Sequence, residues 1–597
     1  MIFVTDFAVI NDFLLEVQKP ARYIGSEFNS VHKHLTPDMI HFAVCFPDAY
    51  EIGMSHLGLK IIYDILNRQD DVFCERCFTP WTDMEQQLRR RGIPLFGLES
   101  KTPLSEFDII GFSLQYELGY TNVLNMLNLA NIPLSSRERL RHPLVIAGGP
   151  CCYNPEPLSE FIDVFFLGEA EDMLLEFTAL YRTFKNNTAA LEKNDDAAYA
   201  KEKENFLRQA AGIEGLYLPR FYEYRQAGGK GFCRIPLFPE AAAKIKRRFL
   251  DSLENNDYAT SPPVPFIEVV HDRINLEIMR GCPNRCLFCQ AGFTMNPVRV
   301  RSVEKVRRMA EKTWRATGYD TLSFCALSSA SYPYLKELIM SLHAFCAERG
   351  LGISLPSLRI DKEFLGIISM LGELKKTGLT FAPEAGSLRL RKVINKNIDV
   401  GELKEAVLEA YRAGWRRLKL YFMIGLPTET EEDLLCMINL IEEFSSLRKA
   451  IDGRRGKVSI GISNYIPKPH TPFQWLGMDD MSSLSAKQEF LRRRLSGKYL
   501  DVDFHNVRMS YVEAYLSRAD RSAAAVIKKA FENGARFDAW TDKFNFNIWM
   551  DAFRQAEIAP DYFVHKHHDF QACLPWEHID CGVRRQALQE SCVKSGV

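Results

Sequence analysis

The stretch "EIMRGCPNRCLFCQ", Glu277–Gln290, sets Cys282, Cys286 and Cys289 in a C-x3-C-x2-C spacing directly after an apolar run. That run, "INLEIMR", reads as a strand, so the three thiols fall in the loop that leaves its carboxyl end. A closed zinc site wants four protein ligands, usually as two pairs, whereas this one compact segment supplies three. A [4Fe–4S] cluster is also held by cysteine thiolates, and with three supplied one iron stays open to bind something else.

Working outward from this loop, strand-like and helix-like stretches alternate. Over residues 266–480 the strands are "INLEIMR", "TLSFCALS", "GISLPSL", "GLTFAPEA", "RLKLYFMIG" and "KVSIGISNYI", with helical patterns such as "SVEKVRRMAEKTWRATG" and "ELKEAVLEAYRAG" between them. Six such units predict a partial (β/α)6 barrel of the TIM type, whose chemistry gathers on the loops after the strand carboxyl ends. Residues 38–180 repeat the couple: "IHFAVCFPDAY" before "MSHLGLKIIYDILNR", "FDIIGFSLQYE" before "YTNVLNMLNLANI", and "HPLVIAGGPCC" before "PLSEFIDVFFLGEAED". This predicts an α/β, Rossmann-like, doubly wound domain that takes ligands outside the carboxyl ends of its strands. Residues 1–37 read as an N-terminal extension, 181–265 as a connector that includes "QAGGKG", and 481–597 as a small, mostly helical C-terminal region.

A net charge of -1 gives no overall argument for nucleic acid or an anionic membrane. The basic runs at 89–91, 244–248 and 492–494 read as solvated helix faces. No segment approaches a membrane-spanning apolar run, and the N-terminus has no basic n-region, so a cytoplasmic protein is expected. The 15 cysteines, scattered over a long chain, argue for reduced thiols and metal ligation rather than a disulfide scaffold.

With Phe288 just before its last cysteine, the loop resembles the signature of the radical S-adenosylmethionine (SAM) enzymes. The resemblance implies a [4Fe–4S] cluster on Cys282, Cys286 and Cys289, with SAM held at the open iron by its amino and carboxylate groups. It implies reductive cleavage of SAM to a 5′-deoxyadenosyl radical, fed by an electron donor such as flavodoxin or ferredoxin. It also implies SAM contacts from Phe288, from Ser328 in "LSSASY", from Glu384 and Ser387 in "APEAGS", and from Gly425 in "MIGLP". "LSSASY" lacks the acid usual there, and Ser387 as a helix N-cap with Glu384 in a surface turn is the other reading of "APEAGS". Arg280 and Arg285 flank the loop, either favouring thiolates or making salt bridges. "SNYIPKPHTPFQW" (463–475) resembles the exit loop of the cobalamin-associated and methylthio-transferring branches, with His470 as an acid–base group or a hydrogen-bonded loop residue.

"FPDAYEIGMSHLGL" (46–59), "AGGPCCYNPEP" (147–157) and "FFLGEAED" (165–172) resemble the cobalamin-binding domain that precedes the barrel in one branch of the superfamily. The likeness is closest to a family of uncharacterised bacterial proteins of that branch. It implies cobalamin beside Asp48, Gly53, Gly148, Gly149 and Gly168, and methyl transfer to an unactivated carbon of a small-molecule or macromolecular substrate. No D-x-H-x-x-G pattern supplies a lower histidine ligand for cobalt, and a domain that has kept the fold and lost the ligand is the alternative. Two other readings stand beside it. One is a methylthiotransferase acting on tRNA or a ribosomal protein, whose second cluster would have to draw on Cys45, Cys74, Cys77, Cys151 and Cys152. The other is a non-enzymatic Fe–S redox or sensing protein. In the C-terminal region, the aromatics around Trp540–Trp549 read as core rather than base-stacking, and His565, His567 and His568 as solvated rather than metal-bound.

Overall fold

A parallel sheet covered on both faces needs strands that are apolar almost throughout. Five such strands build the first domain of the computed structural model, which describes residues 10–192, 194–226, 232–255, 259–354, 371 and 379–597. They are β1 (Ile40–Phe46), β2 (Val72–Phe78), β3 (Ile109–Ser113), β4 (Leu144–Gly148) and β5 (Val164–Phe166); β6 (Leu216–Tyr217) adds an antiparallel edge. The spatial order β2-β1-β3-β4-β5-β6 is that of a doubly wound sheet, with its switch point between β1 and β3.

Two parts of this sheet depart from the sequence reading. "VFCERCF", unassigned there, is β2, and its charges are buried rather than solvated: Arg76 pairs with Glu27 at 2.6 Å and Glu99 at 2.7 Å, and Glu75 lies 2.6 Å from His41. "PLSEFIDVFFLGEAED", expected as a helix, instead gives a 3-10 turn at Glu156–Leu158, then β5, then a turn at Gly168. The long helix starts only at Ala170. A short all-apolar run such as "VFFL" has no period to separate strand from helix, and Gly168, at φ +108°, ends it.

The connector folds into the helix Asp196–Ala211, the hairpin of β7 (Tyr222–Gln226) with β8 (Phe232–Pro236), and the short β9 (Ile245–Lys246). Most of "QAGGKG" and the end of "GISLPSL" lie outside the described residues. In the barrel, β10 (Ile274–Glu277) is followed by the antiparallel pair β11 (Met279–Arg280) and β12 (Arg299–Val300), then by β13 (Thr321–Cys325) and β14 (Gly352–Ser354). β10, β13 and β14 are parallel neighbours, and β15 (Leu379–Glu384), β16 (Arg417–Ile424) and β17 (Lys457–Asn464) form a second parallel set.

All six expected barrel strands are therefore present, and a seventh, β18 (Leu500–Phe504), adds to β17 from the region read as helical. The helix-side residues of β16 and β17, among them Leu418, Leu420, Phe422, Ile460 and Ile462, are fully buried, and each such side chain stabilises by about 1.5–3 kcal/mol.

The C-terminal region supplies helices Met481–Arg494, Val507–Arg518, Ala523–Glu532, Phe546–Gln555 and Arg585–Lys594, and β19 (Ile579–Asp580), which pairs in parallel with β9. It packs on both domains. Trp549 is buried in the core, and the Trp540 indole N–H donates to Asp48 of the first domain at 2.8 Å. Glu156 draws four regions together: it accepts from the Tyr217 hydroxyl at 2.6 Å, Arg234 at 2.7 Å and Arg521 at 3.0 Å, with His578 3.7 Å away. Among the described residues no helix is long and apolar enough to cross a membrane.

Candidate cofactor sites at the domain junction

The β11–β12 pair pinches the base of a loop that holds all three cysteines. Gly281 opens it at φ +83°, where a Cβ would stand 2.8 Å from the Pro297 carbonyl and 2.9 Å from that of Met295. The loop is docked from the far side of the barrel. Leu287 N–H donates to Ile394 O at 3.0 Å, and the Asn395 amide reaches Asn284 O and Arg285 O at 3.3 and 3.1 Å. Cys286 is buried, and burial lifts its thiol to about 12 despite the nearby Lys396 ammonium. Among the described residues no three His, Cys, Asp or Glu side chains converge tightly enough for a single metal ion. Cubane thiolates bind separate irons and stand around the cluster, so three thiols in one loop fit a [4Fe–4S] group with an open iron.

The residues expected around SAM divide. Ser328 is buried and lies 3.3 Å from the Asn284 amide, which also reaches the Cys282 sulfur at 3.6 Å. Glu384 sits at a register break in β15 with φ +66° and pairs with Lys396 at 3.5 Å; its charge is felt at Cys286 and Cys289, and burial raises its own pKa. Phe288 leans on a small apolar cluster that includes Leu287 and Phe293. Ser387 serves the local fold. Its hydroxyl accepts from Leu390 N at 3.0 Å, capping the helix Leu388–Val393, and donates to Asp433. Gly425, at φ +77°, faces Leu484, which a Cβ would meet at 2.7 Å, and its N–H donates to Glu429 at 2.7 Å.

Between this loop and the first domain lies a cavity of about 410 Å³. Its floor is the sheet itself, Phe42 and Val44 from the middle of β1 and the carboxyl-end residues Gly111–Ser113 of β3 and Ile146–Gly148 of β4. Its walls include helix Leu57–Asn67 on one side and Gln290, Ala291 and Thr294 of the cysteine loop on the other. Gly148, Gly149 and Gly168 line it, and Gly149 and Gly168 need glycine. Gly149 has φ +115° and would set a Cβ 2.5 Å from Leu114 O, and a Cβ on Gly168 would stand 2.0 Å from Arg248 O. Asp48 and Gly53 are not among the lining residues: Asp48 caps Ala49 N and holds Trp540, and Gly53 packs under Phe78. A largely apolar cleft at the switch point, edged by glycines, fits the nucleotide end of a cobalamin-type cofactor.

Sequence reasoning did not single out Tyr153, Arg247 or Cys325, which also line the cavity. Cys325 was findable, because it ends an expected barrel strand opposite Glu277. Arg280 makes salt bridges: it is buried and pairs with Glu169 at 3.1 Å, Glu277 at 2.7 Å and Glu171, while Arg299 pairs with Glu169 at 2.6 Å. The "GEAE" turn is thereby clamped to the strand that enters the cysteine loop. Arg285 is exposed. His470 is a hydrogen-bonded loop residue: its Nε2 lies 2.9 Å from the Tyr153 carbonyl, and burial lowers its pKa to about 4. His565 bonds the Met478 carbonyl at 3.0 Å. Cys45, Cys74, Cys77, Cys151 and Cys152 are all buried, the first three in β1 and β2.

Comparison with known proteins accords with this arrangement. Residues 58–219 match the family model described as "Radical SAM proteins, N-terminal", and residues 276–441 match the "Radical SAM superfamily". An uncharacterized protein of Methanocaldococcus jannaschii is 28% identical over 481 residues, spanning 80% of this chain and 89% of that one. A probable threonylcarbamoyladenosine tRNA methylthiotransferase of Archaeoglobus fulgidus is 25% identical over 210 residues, 33% of this chain and 47% of its own. Among solved structures, the cobalamin-dependent radical enzyme OxsB with aqua-cobalamin bound covers 98% of this chain and 86% of its own at 12% identity and a TM-score of 0.46. The methyltransferase TsrM of Kitasatospora setae, with cobalamin and a [4Fe–4S] cluster bound, covers 71% and 72% at 14% identity and a TM-score of 0.44. With both matched stretches in chain order and the three-thiol loop inside the second, the chain belongs to the radical SAM superfamily.

Proposed function

We propose that this radical SAM enzyme binds its [4Fe–4S] cluster through Cys282, Cys286 and Cys289 and takes cobalamin into the cavity at the β1/β3 switch point. The observation that carries the reading is that one loop supplies the three thiols and, through Gln290, Ala291 and Thr294, a wall of that cavity. When bound, the cluster and SAM supply a 5′-deoxyadenosyl radical, and cobalamin supplies a methyl group for an unactivated carbon. The chain's own part is to hold and shield. Asn284 donates toward Cys282 and Ser328, Lys396 offsets Glu384 beside the thiols, and the Arg280 clamp fixes the cysteine loop against the first domain. Gly149 and Gly168 let a bulky group approach the backbone. The reaction is read as cytoplasmic and fed by a flavodoxin or ferredoxin.

The methylthiotransferase reading draws on the Archaeoglobus relative, but the five first-domain thiols it would need are packed in strands and short turns. The test is anaerobic purification from cells given hydroxocobalamin, followed by iron, sulfide and cobalt counts and an assay of 5′-deoxyadenosine after reduction with SAM. Four irons with one cobalt support the reading, and the Cys282→Ala chain is expected to lose the cluster and SAM cleavage. Four irons without cobalt sink its cobalamin half, and eight irons favour methylthiolation.

A further inference from the structure

A barrel with a packed interior fills it with layers of Val, Ile and Leu. The lumen side of β16, β17 and β18 does the opposite. The residues that alternate away from the helices include Lys419 and Tyr421 on β16, Ser459 and Gly461 on β17, and Asp501 and Asp503 on β18. Register sets them in two rungs: Lys419 beside Ser459 beside Asp501, and Tyr421 beside Gly461 beside Asp503. Each rung runs from a cation or a ring, over a small residue, to a carboxylate.

The small middle residues leave room for neighbouring side chains to lean over β17. A Cβ on Gly461 would stand 2.9 Å from the Tyr421 ring, so the ring lies across β17. Lys419 Nζ sits 5.2 Å from the centre of that ring, and Ser459 Oγ is 3.5 Å from the Asp501 carboxylate. All six residues line one cavity of about 810 Å³, with Arg416 and Arg417 adding positive charge on the Lys419 side. Among the described residues no ion pair engages Lys419, Asp501 or Asp503, although cation and carboxylates lie only two strands apart, roughly 10 Å between backbones. Charges of both signs kept apart and unpaired on a cavity wall match a guest that carries both signs itself.

We infer that this wall recognises a zwitterionic ligand, its anionic group at Lys419, its cationic group at Asp501 and Asp503, and its apolar link over Tyr421. The inference stands beside the proposed function, because Leu379 of β15 and Gly414–Arg417 before and at the start of β16 also line this cavity and set it toward the amino ends of those strands, away from the cysteine loop. A merely solvated polar face is the competing account.

An isosteric trio separates the two: 6-aminohexanoate, hexanoate and hexylamine at millimolar concentration, titrated calorimetrically into the full-length protein. The zwitterion is expected to bind at least about tenfold more tightly than either singly charged analogue, the worth of one charged hydrogen bond. Lys419→Met is expected to erase its advantage over hexylamine, and Asp501→Asn with Asp503→Asn its advantage over hexanoate. Equal binding of the trio, no binding of any member, or indifference to these exposed substitutions overturns the inference. Iron counted in the same preparations keeps the two readings distinct. Wild type without iron that still discriminates the trio sinks the proposed function alone, and iron-replete wild type that does not discriminate sinks this inference alone.

Discussion

Glu156→Gln is the perturbation whose cost can be worked most fully from the structure. Burial alone raises this carboxyl's pKa, but Arg234, Arg521 and His578 outweigh it and hold the group at about 2, against 4.5 in an exposed glutamate. At 1.36 kcal/mol per unit, that depression amounts to about 3 kcal/mol of stability at neutral pH. A second route gives a similar figure. Arg234 is only 3% exposed, so removing its counter-charge strands a buried guanidinium, a loss of about 3–5 kcal/mol. Arg521 is 25% exposed and can turn to water, so Arg521→Met is expected to cost about 1 kcal/mol at most.

The assay is equilibrium urea unfolding of the apo chain under anaerobic conditions, with the free-energy change taken from midpoint and slope. The folded pKa is the depressed one, so the contribution is complete above about pH 4.5 and is lost as pH falls toward 2. The gap between wild type and Glu156→Gln should therefore shrink by about 2 kcal/mol between neutral pH and about pH 3. Pairing Glu156→Gln with Arg234→Met should recover part of the loss. A single-variant cost under about 1 kcal/mol, or a gap that ignores pH, refutes the reasoning.

Three further outcomes are expected. His470, held neutral by burial with its pKa lowered to about 4, contributes stability that is complete above about pH 6.5 and falls away toward pH 4. A plot of melting temperature against pH should accordingly be flatter for His470→Gln. Gly168→Ala forces a Cβ onto the Arg248 carbonyl at φ +108°, and it should cost about 1–3 kcal/mol in unfolding and lower the cobalt bound per chain. Cys151→Ala with Cys152→Ala, at positions packed inside the first domain, should leave the iron count of the purified protein unchanged.

What the sequence made legible follows from where periodicity and chemistry coincide. The six barrel strands were readable because each is an apolar run closed by a turn or a helix signal, and the cysteine loop because its spacing has few chemical uses. β2 was not, because Glu75 and Arg76 in its centre look solvated until Glu27, Glu99 and His41 are brought beside them by distant segments. β18 was hidden by its two aspartates, which face the lumen rather than the core. Ser387 and Gly425 were read from motif-like positions, and their local roles, a helix cap and a close approach to Leu484, emerge only in the fold. The Arg280 clamp was legible only as a pair of alternatives, because two of its partners, Glu169 and Glu171, come from a turn more than a hundred residues upstream.

The pairing of β9 with β19 bears on how the protein is made. Arg247, a wall of the cavity, is held by the carbonyls of Asp580 and Cys581, the latter 334 positions further along the chain. At ribosomal speeds of about 5–20 residues per second, that wall waits roughly 15–70 s for its tether to be synthesised. Until then Arg247 lacks both acceptors, so this stretch of wall is fixed by the C-terminal region rather than by the segment that carries it.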